Sequence, residues 1–344
     1  MNERSPVDPS ADCRDLAVLD ALREMALVSA YSDVRLTPLS GGVSSAIYRA
    51  DLPTGVVCVK RALSQLRVAA AWHAPIERNQ HEAAWLRAAH AIVPGAVPAV
   101  LGEDVERHVF AMTWLPPERY PAWKSLLRDG IVGAATARAV GEALGRIHAA
   151  TADRADIAAR FATDDVFEAI RIEPYLLATA RAHPDLAQPL TRLAAITRTT
   201  RRVLVHGDYS PKNLLVGSAG PVIVDAECAW FGDPAFDLAF VLNHLVLKAL
   251  WRPAARAQLA QAFGALRDAY LGRVRWEPPH QVDARAAALL PGLMLARVDG
   301  KSPVEYLTAT RDREAVRRFA RAHLQAPAAS TAVLADHWYA ERAA

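Results

Sequence analysis

The chain of 344 residues is long enough for two lobes, and 52% hydrophobic against 22% charged residues excludes disorder as its main state. Forty Lys and Arg against 37 Asp and Glu leave a net charge of +3, which excludes the strongly basic balance of a dedicated nucleic-acid binder and favours a small-molecule partner. Three scattered cysteines, Cys13, Cys58 and Cys228, make neither a disulfide framework nor a Cys-x-x-Cys metal knuckle, so a reducing, cytoplasmic setting is expected. The opening residues lack the basic stretch and apolar run of a secretory signal, and 1–12 reads as a polar tail. The longest apolar region, 235–250, is broken by Asp237, Asn243, His244 and Lys248, so no membrane span is expected.

In chain order, helical spacing runs from about 13 to 30, followed by strands at 34–39, 46–51 and 55–61, with Ser40-Gly-Gly-Val-Ser-Ser45 as the first turn. A helix over 76–90 places Ala84, Trp85, Ala88 and Ala89 on one side and ends at Val93-Pro-Gly95. Strands at 97–101 and 108–114 complete a small sheet, and Leu115-Pro-Pro117 marks a boundary. Residues 13–114 are thus expected to form an N-terminal lobe and 115–344 a helical C-terminal lobe. Helices at 134–150, 164–182 and 185–200 are interrupted by a strand at 203–206, a tight loop over 207–213 and a hairpin of 214–216 with 222–224 turned by Gly217-Ser-Ala-Gly220. From 236 to 250 the helix is apolar on nearly all sides, the pattern of a core helix.

The chemistry concentrates in His206-Gly-Asp208-Tyr-Ser-Pro-Lys-Asn213 and in Asp225, twelve residues after Asn213. Two short strands joined by a tight turn return the end of the second beside the start of the first, so Asn213 and Asp225 can converge on one point. An amide oxygen and a carboxylate are hard ligands, suited to Mg²⁺ completed by phosphate oxygens and water. Asp208, five residues before Asn213, then faces the acceptor side, where a carboxylate can take or orient a hydroxyl proton.

This loop follows the catalytic-loop pattern of phosphoryl-transfer kinases, H-R-D-x-x-x-x-N with a downstream metal-binding Asp, except that Gly207 stands in the arginine position. With His-Gly-Asp and the later Gly232-Asp-Pro-Ala-Phe-Asp-Leu238, the sequence resembles the aminoglycoside phosphotransferase and choline kinase-like family of small-molecule kinases. The resemblance runs from about Leu36 to Leu250 and is specific between 203 and 240. It implies an α+β, two-lobed protein-kinase-like fold, with a small antiparallel-sheet N-lobe and a mainly helical C-lobe. It further implies ATP and Mg as cofactors and transfer of the γ-phosphoryl to a hydroxyl of a sugar, amino sugar or amino alcohol. Lys60, ending Val56-Val-Cys-Val-Lys60, matches the family's lysine on the α- and β-phosphates, with Glu82 as its chosen anionic partner and Glu77 as the alternative. Ser40, Gly41 and Gly42 match the placement of a phosphate-covering loop but depart from G-x-G-x-x-G, and a plain hairpin is the alternative. Met112 and Trp114 stand where backbone groups of the adenine-binding hinge belong, Asp237 where a residue braces the catalytic loop, and His206 and Lys212 are supporting residues of that loop.

Glu227, two residues after Asp225, shares a side with it on an extended chain and is read as a second metal ligand, a substrate contact or a turn residue. His148 is read as packed between helices, and Cys58 and Cys228 as small buried hydrophobes. Arg297, Asp299 and Lys301 cluster around Gly300 as a candidate substrate or anion contact, with a charged interhelical turn as the alternative. From 241 to the end, fifteen Lys and Arg oppose nine Asp and Glu, which disfavours a polycationic aminoglycoside as substrate. Trp114-Leu-Pro-Pro and Asp225-Ala-Glu227 also resemble methylthioribose kinases, which keeps a thiosugar among the candidates. A nucleotide-binding pseudokinase that regulates a partner is the rival from another class. The joint presence of Lys60, Asp208, Asn213 and Asp225 speaks against it.

Overall fold

In the computed structural model, residues 15–29, 32–39, 45–63 and 76–340 are described. Ser40, Gly41, Gly42, Cys13 and the 1–12 tail lie outside them. The chain divides into two compact units, residues 1–83 with 100–114, and residues 84–99 with 115–344.

The first unit holds α1 (Leu16–Glu24) and a five-stranded antiparallel sheet of β1 (Arg35–Pro38), β2 (Ser45–Leu52), β3 (Gly55–Ala62), β4 (Val100–Asp104) and β5 (Val109–Thr113), in the order β1-β2-β3-β5-β4. Val18, Ala21 and Leu22 of α1 are fully buried against Ala50, Val57, Val59, Val109 and Ala111, the apolar stripe of a helix on the face of a sheet. Asp15 fixes that docking: it accepts from Val18 N at 3.3 Å as the helix cap, from Tyr48 Oη at 3.0 Å and from Arg61 Nη1 at 2.7 Å. The helix expected over 13–30 is shorter, because Ala26 takes a left-handed φ of 55° that an α-helix cannot continue through. The strand expected at 97–101 begins at Val100, since Pro94–Ala96 forms a 3₁₀ turn and Pro98 offers no N–H to a ladder.

The second unit is mainly helical. The helix α2 (Arg78–Ile92) runs from the first unit's residues into it. It is followed by α3 (Trp123–Arg128), α4 (Ala134–Thr151), α5 (Ala155–Arg160), α6 (Asp164–Phe167), a π-helical segment Glu168–Leu177, α7 (Ala178–Ala182) and α8 (Ala187–Thr199). Two small ladders interrupt the helices: β6 (Val203–Val205) pairs with β9 (Trp230–Gly232), and β7 (Leu214–Gly217) with β8 (Gly220–Ile223). The remaining helices are α9 (Pro234–Trp251), α10 (Arg256–Leu271), α11 (Pro279–Asp299), α12 (Thr310–Gln325) and α13 (Thr331–Ala340).

α9 starts where Asp233 caps Ala235 N at 3.0 Å and Pro234 occupies the first turn, and every residue from Pro234 to Leu250 is buried. By length and composition it could cross a membrane, but 94% of its apolar window is buried inside the protein, as in a core helix packed by α10 and α11. α10 lies directly on α4. A Cβ at Gly141 would stand 2.1 Å from the Leu266 carbonyl oxygen, so only glycine permits this approach.

Candidate active site

The loop His206–Asn213 links β6 to β7 and is held from beneath by one carboxylate. Asp237, in the first turn of α9 and fully buried, accepts from His206 N at 2.7 Å and from Gly207 N at 2.9 Å. His148 places Nε2 3.4 Å from Asp237 Oδ2, and its Nδ1 is 2.9 Å from Tyr270 Oη, so the histidine expected between helices also backs this brace. His206 accepts from Asp208 N at Nδ1 (3.1 Å) and donates from Nε2 to the Val224 carbonyl (3.1 Å), which specifies one neutral tautomer. Burial pushes its pKa down against the pull of Asp237, Asp208 and Asp225, in keeping with that neutral ring. Trp85 meets the ring edge-on at 4.9 Å.

Gly207 turns the chain with φ 77°, and a Cβ there would lie 2.4 Å from the Cys228 carbonyl oxygen. Gly207→Ala is therefore expected to cost about 2–4 kcal/mol from backbone strain and overpacking together, read as a lowered urea midpoint. Unchanged stability would show that the left-handed turn is not adopted.

The turn presents Asp208, 5% exposed, with Oδ2 at 2.8 Å from Lys212 Nζ and 3.0 Å from Arg171 Nη2. Burial raises the Asp208 pKa, but Lys212 and Arg171 together outweigh it and leave the group below its ordinary value, ionised at neutral pH. Arg171 was not singled out by the sequence. It comes from the π-helical segment, donates through Nε to the Gly207 carbonyl, and lies 5.8 Å from the Tyr175 ring centroid and 5.6 Å from that of Phe240. A lone cation inside Ala169-Ile-Arg-Ile172 is the one signal that could have marked it.

Asn213 is 4% exposed, and its Nδ2 donates to the Asp208 carbonyl at 3.0 Å, which leaves Oδ1 as an open acceptor. The β7–β8 hairpin carries out the convergence that the spacing suggests: Leu214 pairs with Ile223, and Val224 N bonds to the Asn213 carbonyl at 3.0 Å. Asp225 follows at once with φ 69°, a conformation Asp tolerates better than most residues and one concentrated at functional positions. This left-handed residue ends the extended chain, so the premise that Asp225 and Glu227 share a side is not met, and the reading of Glu227 as a second metal ligand loses its geometric support. Among the described residues no group of three or more His, Cys, Asp and Glu side chains is arranged to hold a metal. An amide oxygen and one carboxylate, on residues that the hairpin's backbone pairing brings together, would suit a Mg²⁺ ion that draws its other ligands from phosphates and water.

In the first unit, Lys60 lies on β3 between Ile47 of β2 and Phe110 of β5. Its Nζ contacts both oxygens of Glu82, at 2.8 and 2.7 Å, with both side chains almost fully buried. Of the two acids considered, the structure places Glu82 on the lysine. Cys58 precedes this pair, and burial pushes its thiol up to about 12, so it is an inert core group. Met112 lies inside β5, flanked by β3 and β4, and Trp114 is the first residue beyond that strand, with the Arg49 guanidinium 5.7 Å from its ring.

The charges around Gly300 are used within the second unit. Asp299 pairs with Arg317 at 2.6 Å and His183 at 2.9 Å, Lys301 with Glu173 at 2.9 Å, and Arg297 donates to Tyr175 Oη at 3.1 Å and to Ser302 Oγ at 2.8 Å. For Asp299 and Lys301 this is a charged turn with its partners already in place, not an open anion contact.

The antiparallel-sheet unit and the mainly helical unit are those of the protein-kinase-like fold of phosphotransferases. The sequence profile of the phosphotransferase enzyme family, APH, matches residues 35–277, and the chain belongs to that family. Methylthioribose kinase 1 of Oryza sativa subsp. japonica is 23% identical over 225 residues, 56% of this chain and 51% of that protein, so the chain spans about half the length of that relative. Among solved structures, amicoumacin kinase hAmiN in complex with AMP-PNP, Ca²⁺ and Ami has a TM-score of 0.57 at 14% identity, covering 90% of this chain and 94% of that one. Choline kinase from Cryptosporidium parvum Iowa II has a TM-score of 0.56 at 10% identity, covering 89% and 96%. At such identities these structures establish the fold alone.

Proposed function

We propose that the protein transfers the γ-phosphoryl group of ATP to a hydroxyl of a small metabolite, with Mg²⁺ as the divalent ion. The observation that carries this reading is the braced loop, on which Asp208 and Asn213 stand in one rigid turn and Asp225 follows the residue hydrogen-bonded to Asn213. In this reading Lys60, paired with Glu82 in its own unit, would meet the α- and β-phosphates, and in the other unit Asn213 Oδ1 and Asp225 would hold the ion. When bound, the ion neutralises charge on the β- and γ-phosphate oxygens. Asp208 accepts the hydrogen bond of the acceptor hydroxyl and points it at the phosphorus. Because Lys212 and Arg171 make it a weak base, orientation rather than early proton removal is its contribution, as suits a loose transition state. The family resemblance assigns the phosphate cover to Ser40, Gly41 and Gly42, which lie outside the described residues, and the base to backbone at Met112 and Trp114.

Sugars, amino sugars and amino alcohols are the acceptor classes this reading starts from, with a thiosugar, as in the methylthioribose kinase relative, as the alternative. ATP consumption measured over a panel of sugars, amino alcohols, hydroxy acids and antibiotics tests it. Turnover with at least one acceptor, lost with EDTA and restored by added Mg²⁺, is the expected result. Nucleotide binding without turnover on any acceptor would instead favour the pseudokinase.

A further inference from the structure

α9 carries a stripe of Phe240, His244 and Lys248 at four-residue spacing, so one face of a core helix leads from the catalytic loop to a buried lysine. The near end is tied to Asp208: the Arg171 guanidinium that pairs with it lies 5.6 Å from the Phe240 ring, and Phe240 meets the His244 ring at 5.7 Å. At the far end Lys248 is 1% exposed, yet its Nζ has no hydrogen-bond partner among the described residues. The ammonium lies 4.9 Å from the Trp251 ring and 4.6 Å from the Tyr306 ring, which are themselves stacked at 4.7 Å. The Tyr306 hydroxyl is also buried without a partner among the described residues. A second route leads back to the loop, because Lys124 bonds through its backbone N to the Pro211 carbonyl (2.8 Å) and through Nζ to Glu305 (2.6 Å), next to Tyr306.

The surroundings are cationic. His244 lies in the field of Arg297, Lys248, Lys212 and Lys124, and Lys248 in that of Lys124, Arg252 and Arg297, opposed by Glu305. Burial and these neighbours lower the Lys248 pKa to about 8, the response of an ammonium that lacks an anion. A buried cation without a counter-charge costs far more than a paired one. Aromatic faces of this kind otherwise receive a cationic ligand such as a quaternary ammonium, but here the chain's own ammonium holds that position. Tyr306 is on the irregular stretch between α11 and α12, next to exposed Glu305 and near exposed Lys301 and Thr308, so its side of the sandwich is the one that can yield to a ligand.

Resting on the phosphotransfer reading above, we propose that the acceptor alcohol carries an anionic group, a carboxylate or a phosphate, which is received by the Lys248 ammonium and the Tyr306 hydroxyl while its own hydroxyl reaches Asp208. Cationic amino alcohols and aminoglycosides are then the poorest acceptors.

Two measurements test this. Calorimetric titration of the AMP-PNP-loaded protein with D-gluconate, D-glycerate and D-ribose 5-phosphate, against gluconamide, D-ribose, choline and ethanolamine, reads binding without turnover. An ATPase-coupled assay on the same panel reads transfer. The expected result is that one of the anionic alcohols binds and accepts phosphate at least about 30-fold better than its neutral counterpart. Lys248→Met should remove that preference and Lys248→Arg should keep it, with both variants checked for native circular dichroism. The carboxylate and phosphate arms identify which anion the site takes. Equal or better binding of the neutral or cationic members, or an anion preference that survives Lys248→Met, overturns the proposal while leaving the kinase reading intact. Anions that bind through Lys248 while only uncharged alcohols are phosphorylated overturn it as well. Lys248-dependent anion binding with no transfer to any acceptor sinks the kinase reading instead and leaves the anion site standing.

Discussion

Asp208→Asn should lower kcat by about 10³-fold or more while changing the affinity for ATP by less than about threefold, within the range by which positioned proton acceptors accelerate reactions. The substitution keeps the shape of the side chain and removes its charge. Arg171 loses its carboxylate partner but retains the Gly207 and Ile170 carbonyls as acceptors, so the loop should survive and the loss should appear in turnover rather than in folding. Stopped-flow nucleotide binding and steady-state kinetics on the same preparation separate the two. A variant with unchanged kcat would remove Asp208 from the mechanism, and one that no longer binds ATP would make it a structural residue.

The second large effect is expected at Lys60 and Glu82. Their ion pair is almost fully buried and doubly hydrogen-bonded, so Glu82→Ala takes a buried counter-charge from the Lys60 ammonium and should cost about 3–5 kcal/mol in a denaturant titration. Replacing both members with apolar groups, as in Lys60→Met with Glu82→Leu, removes the uncompensated charge and should recover most of that stability. It should not recover turnover, because the proposed function assigns Lys60 to the phosphates. Activity retained in the double variant would reduce the pair to a packing feature, whereas loss of both stability and activity would point to a distorted β3.

The parts legible in the sequence were those whose partners lie close along the chain. The Asn213 to Asp225 interval contains its own hairpin, so spacing alone implied convergence, and the ladder from Leu214–Ile223 carries it out. The five-strand sheet followed from alternation and turns, apart from the strand start displaced by Pro98, and the helix before it was cut short at Ala26. What escaped notice depends on packing between distant segments. Arg171 reaches Asp208 across 37 positions and Lys248 reaches Tyr306 across 58, and no periodicity encodes such meetings. The reverse failure is equally physical. Arg297, Asp299 and Lys301 formed a suggestive local cluster, but charges clustered in sequence find partners in space, and Arg317, His183 and Glu173 supply them.

The π-helical segment Glu168–Leu177 carries one further implication. A π turn holds about one residue more than an α turn, and each residue advances an α-helix by about 100°. Deleting a single codon between Glu168 and Arg171 would therefore rewind this stretch and swing the guanidinium around the helix axis, off the Asp208 carboxylate, without altering one letter of the His206–Asn213 loop. In this architecture the Arg171 share of the charge on Asp208 depends on helical phase, so an insertion or deletion remote from the loop can alter the basicity of its carboxylate.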